Sequence, residues 1–301
     1  FIKKSIRQGD QKELLYQIEN GRIRPSKSLQ DSLAAMLKGN EEFIMIDEQK
    51  IVYEEIINIS KQSKKDCKKR VVIVKGGPGT GKTVVAINLL ANLTSEEQFC
   101  QYVSKNSAPR SVYQKKLKGE IRKSSVDNMF KGSGIYTEAP LNGVDTILVD
   151  EAHRLNEKSG MFQNMGENQI KEIIQASKCS VFFIDESQRV TMKDIGSIKE
   201  IEHWAKKQGA QIYYQELISQ FRCNGSDGYL AWLDDVLDIR QTANFDMKDI
   251  DYDIKIVDTP QEMQHLIIER NSNRNRSRIL AGYCWNWLKQ GKNDSTVHDI
   301  K

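Results

Sequence analysis

The run KGGPGTGKT at residues 75–83 directly follows the β-branched run VVIV and directly precedes an apolar segment, VVAINLLANL. Within it Gly76, Gly77, Pro78, Gly79, Thr80, Gly81, Lys82 and Thr83 satisfy the spacing G-x-x-x-x-G-K-[ST] between a strand and a helix. The glycines let the backbone wrap so that successive N–H groups converge on phosphate oxygens, and the dipole of a helix beginning near Lys82 adds partial positive charge. Lys82 supplies a point charge for the β- and γ-phosphates, and the Thr83 hydroxyl is a hard oxygen ligand suited to Mg²⁺. A glycine-rich turn without a ligand would need strand, loop, lysine, threonine and helix to coincide by accident. The loop therefore restricts the chain to folds that feed a buried strand into a helix.

Such strands recur. VVIV, FCQYVS, TILVD, SVFFID and QIYYQEL are short, β-branched or aromatic, and separated by longer amphipathic segments. That alternation predicts a parallel α/β sheet covered by crossover helices on both faces. Residues 1–44 read as a polar helical segment around the turn-like RPSKS, with no recognisable chemistry. The run KQSKKDCKKR reads as a solvated helix end. After the acidic FDMKDIDYD come a strand-like IKIVD, a helix-like EMQHLIIER and a strand-like RILAGYCW. The expected organisation is a helical segment at 1–44, an ATPase domain at 45–220 and a partial second domain at 221–301, with the boundary near 218–245.

TILVDEAH ends a buried-strand pattern on Asp150 and Glu151. The carboxyl edge of the strands is where open α/β sheets bind ligands, so Asp150 is the expected Mg²⁺ partner and Glu151 the expected base for an attacking water. Composition removes other classes. Lys plus Arg 45 against Asp plus Glu 41 leaves a net charge of +4, too little to imply nucleic-acid binding without a local cluster. No run nears the roughly 18 apolar residues of a spanning helix. The 5 cysteines are scattered without a C-x-x-C pair, which argues against a disulfide framework or zinc ribbon and for a reducing, cytoplasmic setting. The chain opens at Phe1 without a signal-peptide pattern, and a fragment of a longer protein is expected.

With these motifs in order, the chain resembles a superfamily 1 helicase motor, and in particular the helicase-like domain of Schlafen proteins and their bacterial relatives. The resemblance covers most of the chain after residue 45 and implies a RecA-like first motor domain and the start of a second. It implies roles for further residues. Gln49, in Asp47-Glu48-Gln49 one helix before the loop, corresponds to the adenine-reading glutamine. VSKNSAPRS at 103–111 is similar to the segment that grips a single strand, Asp185-x-x-Gln188 to the motif whose glutamine senses the γ-phosphate, and SQFRCNG offers Arg222 as an arginine reaching that phosphate. Further second-domain motifs, including a second γ-phosphate arginine, are not found before Lys301.

Between Lys105 and Lys123 the basic residues Lys105, Arg110, Lys115, Lys116, Lys118, Arg122 and Lys123 face the single acid Glu120. Lys105, Asn106, Arg110, Lys115 and Lys116 are the candidate contacts to a single strand, whose phosphates such cations neutralise whatever the base sequence; a solvated helix face is the plainer alternative. His153 shows no ligand spacing with His203, His265 or His298 and reads as a coupling residue. Tyr283, Trp285 and Trp287 alternate as one strand face and read as core, and Cys223 as a small buried residue. The expectation is an ATP- and Mg²⁺-dependent motor on single-stranded DNA or RNA. Its rivals are a nucleotide switch that does not translocate and a scaffold with a degenerate ATPase.

Overall fold

The computed structural model describes residue 35 and residues 44–117, 123–160, 164–189, 191–219, 227–239, 241–242, 254–272, 277 and 279–280. The chain divides into two units, Phe1–Asp227 and Gly228–Lys301.

In the first unit, helix α1 (Asp47–Asp66) leads to strand β1 (Arg70–Gly76) and helix α2 (Lys82–Ser95). Strand β2 (Cys100–Ser104), helices α3 (Ser107–Lys116) and α4 (Lys123–Met129) and the two-residue strand β3 (Phe130–Lys131) follow. Then come β4 (Val144–Asp150), helix α5 (Gln169–Ala176), β5 (Ser177–Ile184), helix α6 (Ile198–Lys207) and β6 (Gln211–Leu217). The strands form one 6-stranded sheet in the order β3-β2-β4-β5-β1-β6, and every neighbouring pair is parallel. This is the parallel sheet flanked by helices that the alternation predicts, in RecA-like form, with β5 inserted between the strand of the glycine loop and the strand of the acid pair.

Why the sheet is buried on both sides is visible along β1. Val72 and Val74 pack into a cluster with Ile56 of α1 and Ile87 and Leu90 of α2. Val71 and Ile73 point the other way, into a cluster with Ile170 and Ile173 of α5 and Ile201 of α6. A strand covered on both faces needs apolar residues at every position, which is why VVIV is continuous rather than alternating. Because all strands are parallel, Gly76, Ser104, Asp150, Ile184 and Leu217 end at one edge of the sheet. Residues from distant sequence positions therefore meet there.

The basic run before β1 departs from expectation. Lys61 and Lys65 are exposed, but the last two cations turn inward. The Lys69 ammonium donates to Asn142 Oδ1 at 2.7 Å and to the carbonyls of Ile174 at 2.5 Å and Ser177 at 2.6 Å. Arg70 is buried and paired with Asp66 at 2.7 Å. The second unit holds helix α7 (Asp227–Val236) from its second residue on and helix α8 (Pro260–Asn271), the latter capped by Thr259, whose hydroxyl accepts from the Glu262 N–H at 3.2 Å. IKIVD was expected as a strand, and its described residues 254–258 form none; among the described residues no strand lies beside them, and β propensity alone does not make one. Most of residues 1–44, most of RILAGYCW, and Tyr283, Trp285, Trp287, Cys223 and Arg222 lie outside the described residues.

Lys69→Met should destabilise the protein by about 1–3 kcal/mol, since buried carbonyls lose their donor. Lys65→Met, on the solvated end of the same run, should stay within about 0.5 kcal/mol. Equilibrium denaturation of both variants checks the difference, and equal effects would contradict an inward role for Lys69.

Candidate functional site

The glycine loop lies between the ends of β1 and the start of α2, and its shape depends on φ angles that glycine adopts freely. Gly81 has φ +89° and stands at the N-terminus of α2, where a Cβ would run into the side-chain amide of Gln49. Gln49 itself is buried; its Nε2 donates to the Thr80 carbonyl at 3.0 Å, and its Oε1 accepts from the Ile46 N–H at 3.2 Å. Both ends of the amide that sequence assigns to a base are thus engaged with the backbone, one of them with the loop. Gly76, Gly77, Gly79 and the exposed Pro78 complete the turn, and the Thr80 hydroxyl closes it by donating to the Gly77 carbonyl at 3.0 Å. Lys82 is buried, and its ammonium donates to the carbonyls of Gly76 at 2.6 Å and Gly77 at 2.7 Å.

The Thr83 hydroxyl donates to Asp150 Oδ2 at 2.8 Å. The same oxygen accepts the Tyr102 hydroxyl at 2.5 Å, while Oδ1 accepts the N–H of Glu151 at 3.0 Å. Burial pushes the Asp150 carboxyl above its ordinary value, and the Tyr102 hydrogen bond opposes that push. Burial likewise pushes the Tyr102 hydroxyl up, helped by the Asp150 charge, so Tyr102 remains a donor. Two hydroxyl-bearing side chains converging on one buried carboxylate make a set of hard oxygens that suits Mg²⁺ and suits softer metals poorly. Among the described residues, no cluster of three His, Cys, Asp or Glu side chains is placed to hold a metal by itself.

Beyond Asp150 the chain turns sharply, with Glu151 in the left-handed region at φ 54°, a conformation that costs a non-glycine residue energy and is found at functional sites. His153 holds the turn. Its Nε2 faces Glu151 Oε2 at 3.1 Å, and its Nδ1 accepts the Asp185 N–H at 3.4 Å. The hydrogen bond with His153 lowers the Glu151 carboxyl below its ordinary value against the opposing effect of burial, and the charge of Lys82 adds to it. Glu151 is therefore an ionised acceptor beside a neighbouring acid whose own value is raised, an arrangement that separates the roles of two adjacent carboxylates. Gln188 donates to Asp185 Oδ2 at 2.8 Å. Glu151, His153, Asp185 and Gln188 thus form one hydrogen-bonded line across the ends of β4 and β5. Glu151, Gln188 and Asn106 line one groove of about 420 Å³.

The basic segment is divided. Lys105 donates to Asn156 Oδ1 at 2.8 Å and pairs with Asp194 at 3.0 Å. Arg110 donates to the Ser104 carbonyl at 3.1 Å and lies against Gly132. Lys115 is exposed, and the side chain of Lys116 lies outside the described residues, as does Arg222. Sequence reasoning missed Tyr102, because its meeting with Asp150 depends on strand register: Ser104 stands opposite Asp150 and Tyr102 opposite Leu148. It also missed Glu48, whose carboxylate accepts from the Ile218 N–H and from the N–H of Ser219 at 3.1 Å, tying the start of α1 to the chain leaving β6.

Fold and loop together define a P-loop protein of RecA-like architecture. Within that class the chain belongs to the family described as Schlafen group 3, DNA/RNA helicase domain, whose model matches residues 69–301. No curated protein matches the sequence. Among solved structures, Pif1 helicase from Candida albicans is similar at 14% identity and TM-score 0.41, over 76% of this chain and 55% of that one. DnaA from Aquifex aeolicus bound to AMPPCP is similar at 14% identity and TM-score 0.32, over 76% of this chain and 64% of that one. The chain thus spans less than two thirds of the length of either. Among the described residues, no helix is long and apolar enough to cross a membrane.

Two substitutions probe this site without nucleotide. Asp150→Asn should remove the part of the pH dependence of melting that this carboxyl contributes, namely the loss of stability as pH rises through its ionisation. The sign follows from the raised carboxyl: the folded state keeps the proton to higher pH than the unfolded one, so ionisation above that window costs stability, and the amide removes the cost. Tyr102→Phe should lower stability by about 1–3 kcal/mol, because the buried carboxylate loses a donor. Thermal melts from acid to neutral pH read both effects.

Proposed function

We propose that this chain binds ATP with Mg²⁺ and hydrolyses it to drive movement on a single strand of DNA or RNA. In this reading residues 45–220 form the first motor domain and 221–301 begin the second. The observation that best supports it is the 2.8 Å hydrogen bond from Thr83 to Asp150, which puts the loop's hydroxyl and the strand-end acid on one spot beside Glu151. The β- and γ-phosphates would lie in the loop formed by Gly76, Gly77, Pro78, Gly79, Thr80 and Gly81, with Lys82 moving from the loop carbonyls onto phosphate oxygens. Thr83 and Asp150 would hold Mg²⁺, which supplies charge neutralisation at those oxygens. Glu151 accepts a proton from the water as its oxygen bonds to the γ-phosphorus and the bond to the β–γ bridging oxygen breaks, leaving ADP and phosphate. Gln188 senses the γ-phosphate, and Arg222 is the candidate arginine for the same phosphate. Gln49 acts on the adenine side while bonded to Thr80. Lys105, Asn106, Arg110, Lys115 and Lys116 form the candidate track.

A non-translocating nucleotide switch is favoured by one observation. Lys105 and Arg110, two of the cations assigned to the strand, are engaged with Asp194 and with the Ser104 carbonyl.

Hydrolysis by the full-length protein should rise when single-stranded DNA or RNA is added, and a switch would show hydrolysis indifferent to both. Lys82→Ala should weaken ATP binding by at least tenfold, about 1.4 kcal/mol. Glu151→Gln should leave ATP affinity within about threefold and lower turnover at least a hundredfold, the scale on which general-base catalysis operates. Unchanged turnover in Glu151→Gln would remove the residue from the role of base.

A further inference from the structure

Beneath the groove lies a carboxylate for which the motor reading has no role. Asp194, after β5, has a side chain 0% exposed, yet it meets basic groups from three segments. Its Oδ1 takes the Lys105 ammonium at 3.0 Å, from the chain leaving β2. Its Oδ2 faces Arg154 Nε at 3.3 Å, from the turn after β4, and accepts the Thr191 N–H at 3.0 Å. Its backbone carbonyl accepts from Arg189 Nη2 at 2.7 Å. Lys105 and Arg154 retain 27% and 23% side-chain exposure, so an anion can reach the cations while their anchor stays covered. Arg154 and Arg189 line the same groove as Glu151 and Gln188.

A second observation concerns the backbone two residues further on. A Cβ on Gly196 would collide with the Ala152 carbonyl and the His153 Cα, so the chain here lies directly against the turn that carries Glu151. The contact continues through a backbone bridge between Asn156 and Asp194 and a hydrogen bond from the Ile195 N–H to the Leu155 carbonyl at 2.8 Å. Any shift of Asp194 is carried into that turn, because packed backbone without intervening side chains leaves no slack. His153, on that turn, is the hydrogen-bond partner of Glu151.

We propose that Asp194–Gly196 is a positioning strap that makes hydrolysis at Glu151 respond to a bound strand, with Asp194 joining Lys105 of the grip segment to Arg154 and Arg189 at the groove. The inference rests on the motor reading. A strand phosphate that draws on Lys105 changes the charge balance at Asp194, and the strap transmits the change to Ala152 and His153. Asp194 is a positioning residue, since it acts through Lys105, Arg154 and the strap. Two sites so joined influence one another reciprocally in binding, so ATP should also alter strand affinity.

The test measures ATP turnover of the full-length protein with and without oligo(dT) and oligo(U), ATP affinity, strand affinity from a labelled oligonucleotide, and thermal melting. Asp194→Asn keeps the shape and loses the charge. It should melt cooperatively, bind ATP within twofold and the strand within fivefold of the parent, and lose at least four fifths of the strand stimulation of turnover. Arg189→Gln, which changes an exposed side chain, should also lose most of the stimulation, and it decides the matter if Asp194→Asn does not fold. A folded variant whose stimulation stays within twofold of the parent overturns the proposal. So does stimulation lost together with strand binding, which would make Asp194 part of the grip only. If the parent protein shows no strand stimulation, the motor reading fails and the strap falls with it; stimulation in the parent that survives in both variants sinks the strap alone.

Discussion

The site is organised around the carboxylate of Asp150, held at the end of β4 by hydroxyls from two other elements. A buried carboxylate is costly unless its lone pairs are satisfied. Here Thr83 brings the first turn of α2 to it, and Tyr102 brings β2. Those bonds fix the glycine loop relative to the strand-end acids Asp150 and Glu151. The parallel sheet makes this possible by bringing its strand ends to one edge, but the sheet alone sets no distances between side chains. The hydroxyl bonds to Asp150 do.

From that anchor the polar groups run along the sheet edge in sequence: Asp150, Glu151, His153, Asp185, Gln188. Each is hydrogen-bonded to its neighbour in that series. Glu151 shows the cost, since its left-handed backbone would be unfavourable in isolation and is held by the hydrogen bond to His153 and the packing of Ala152 beneath it. In the proposed hydrolysis, preorganisation of this kind would orient the acceptor before substrate arrives and lessen reorganisation during reaction.

Much of the fold was legible because its signals are contiguous. VVIV, TILVD and SVFFID are fully buried parallel strands, and continuous apolar runs of that length announce themselves; KGGPGTGKT carries strand, turn and helix start in nine neighbouring residues. What escaped depends on register and on tertiary partners. Tyr102 reads as one more apolar strand residue until β2 is aligned with β4. Asp194 sits in TMKDIG, which has the composition of a solvated loop, and becomes a buried hub only when Lys105 and Arg154 arrive from elsewhere. Charge misled in the other direction: Lys69, Lys105 and Arg110 look like free surface cations in the sequence and are bonded to carbonyls or carboxylates in the fold. Local composition sets how many cations a segment has, and long-range packing sets where they point.

Lys82 bears a consequence of its own. With its ammonium on the Gly76 and Gly77 carbonyls, the lysine already has acceptors, and an anion must outcompete two short hydrogen bonds to claim it. If the loop takes phosphate as proposed, it would therefore discriminate by charge density. A weakly basic monoanion offers less than the carbonyls already give, whereas a polyphosphate brings several oxygens at once and reaches the backbone N–H groups as it displaces them. On that proposal, selectivity against small anions would lie in the resting lysine, ahead of any reading of a base or sugar.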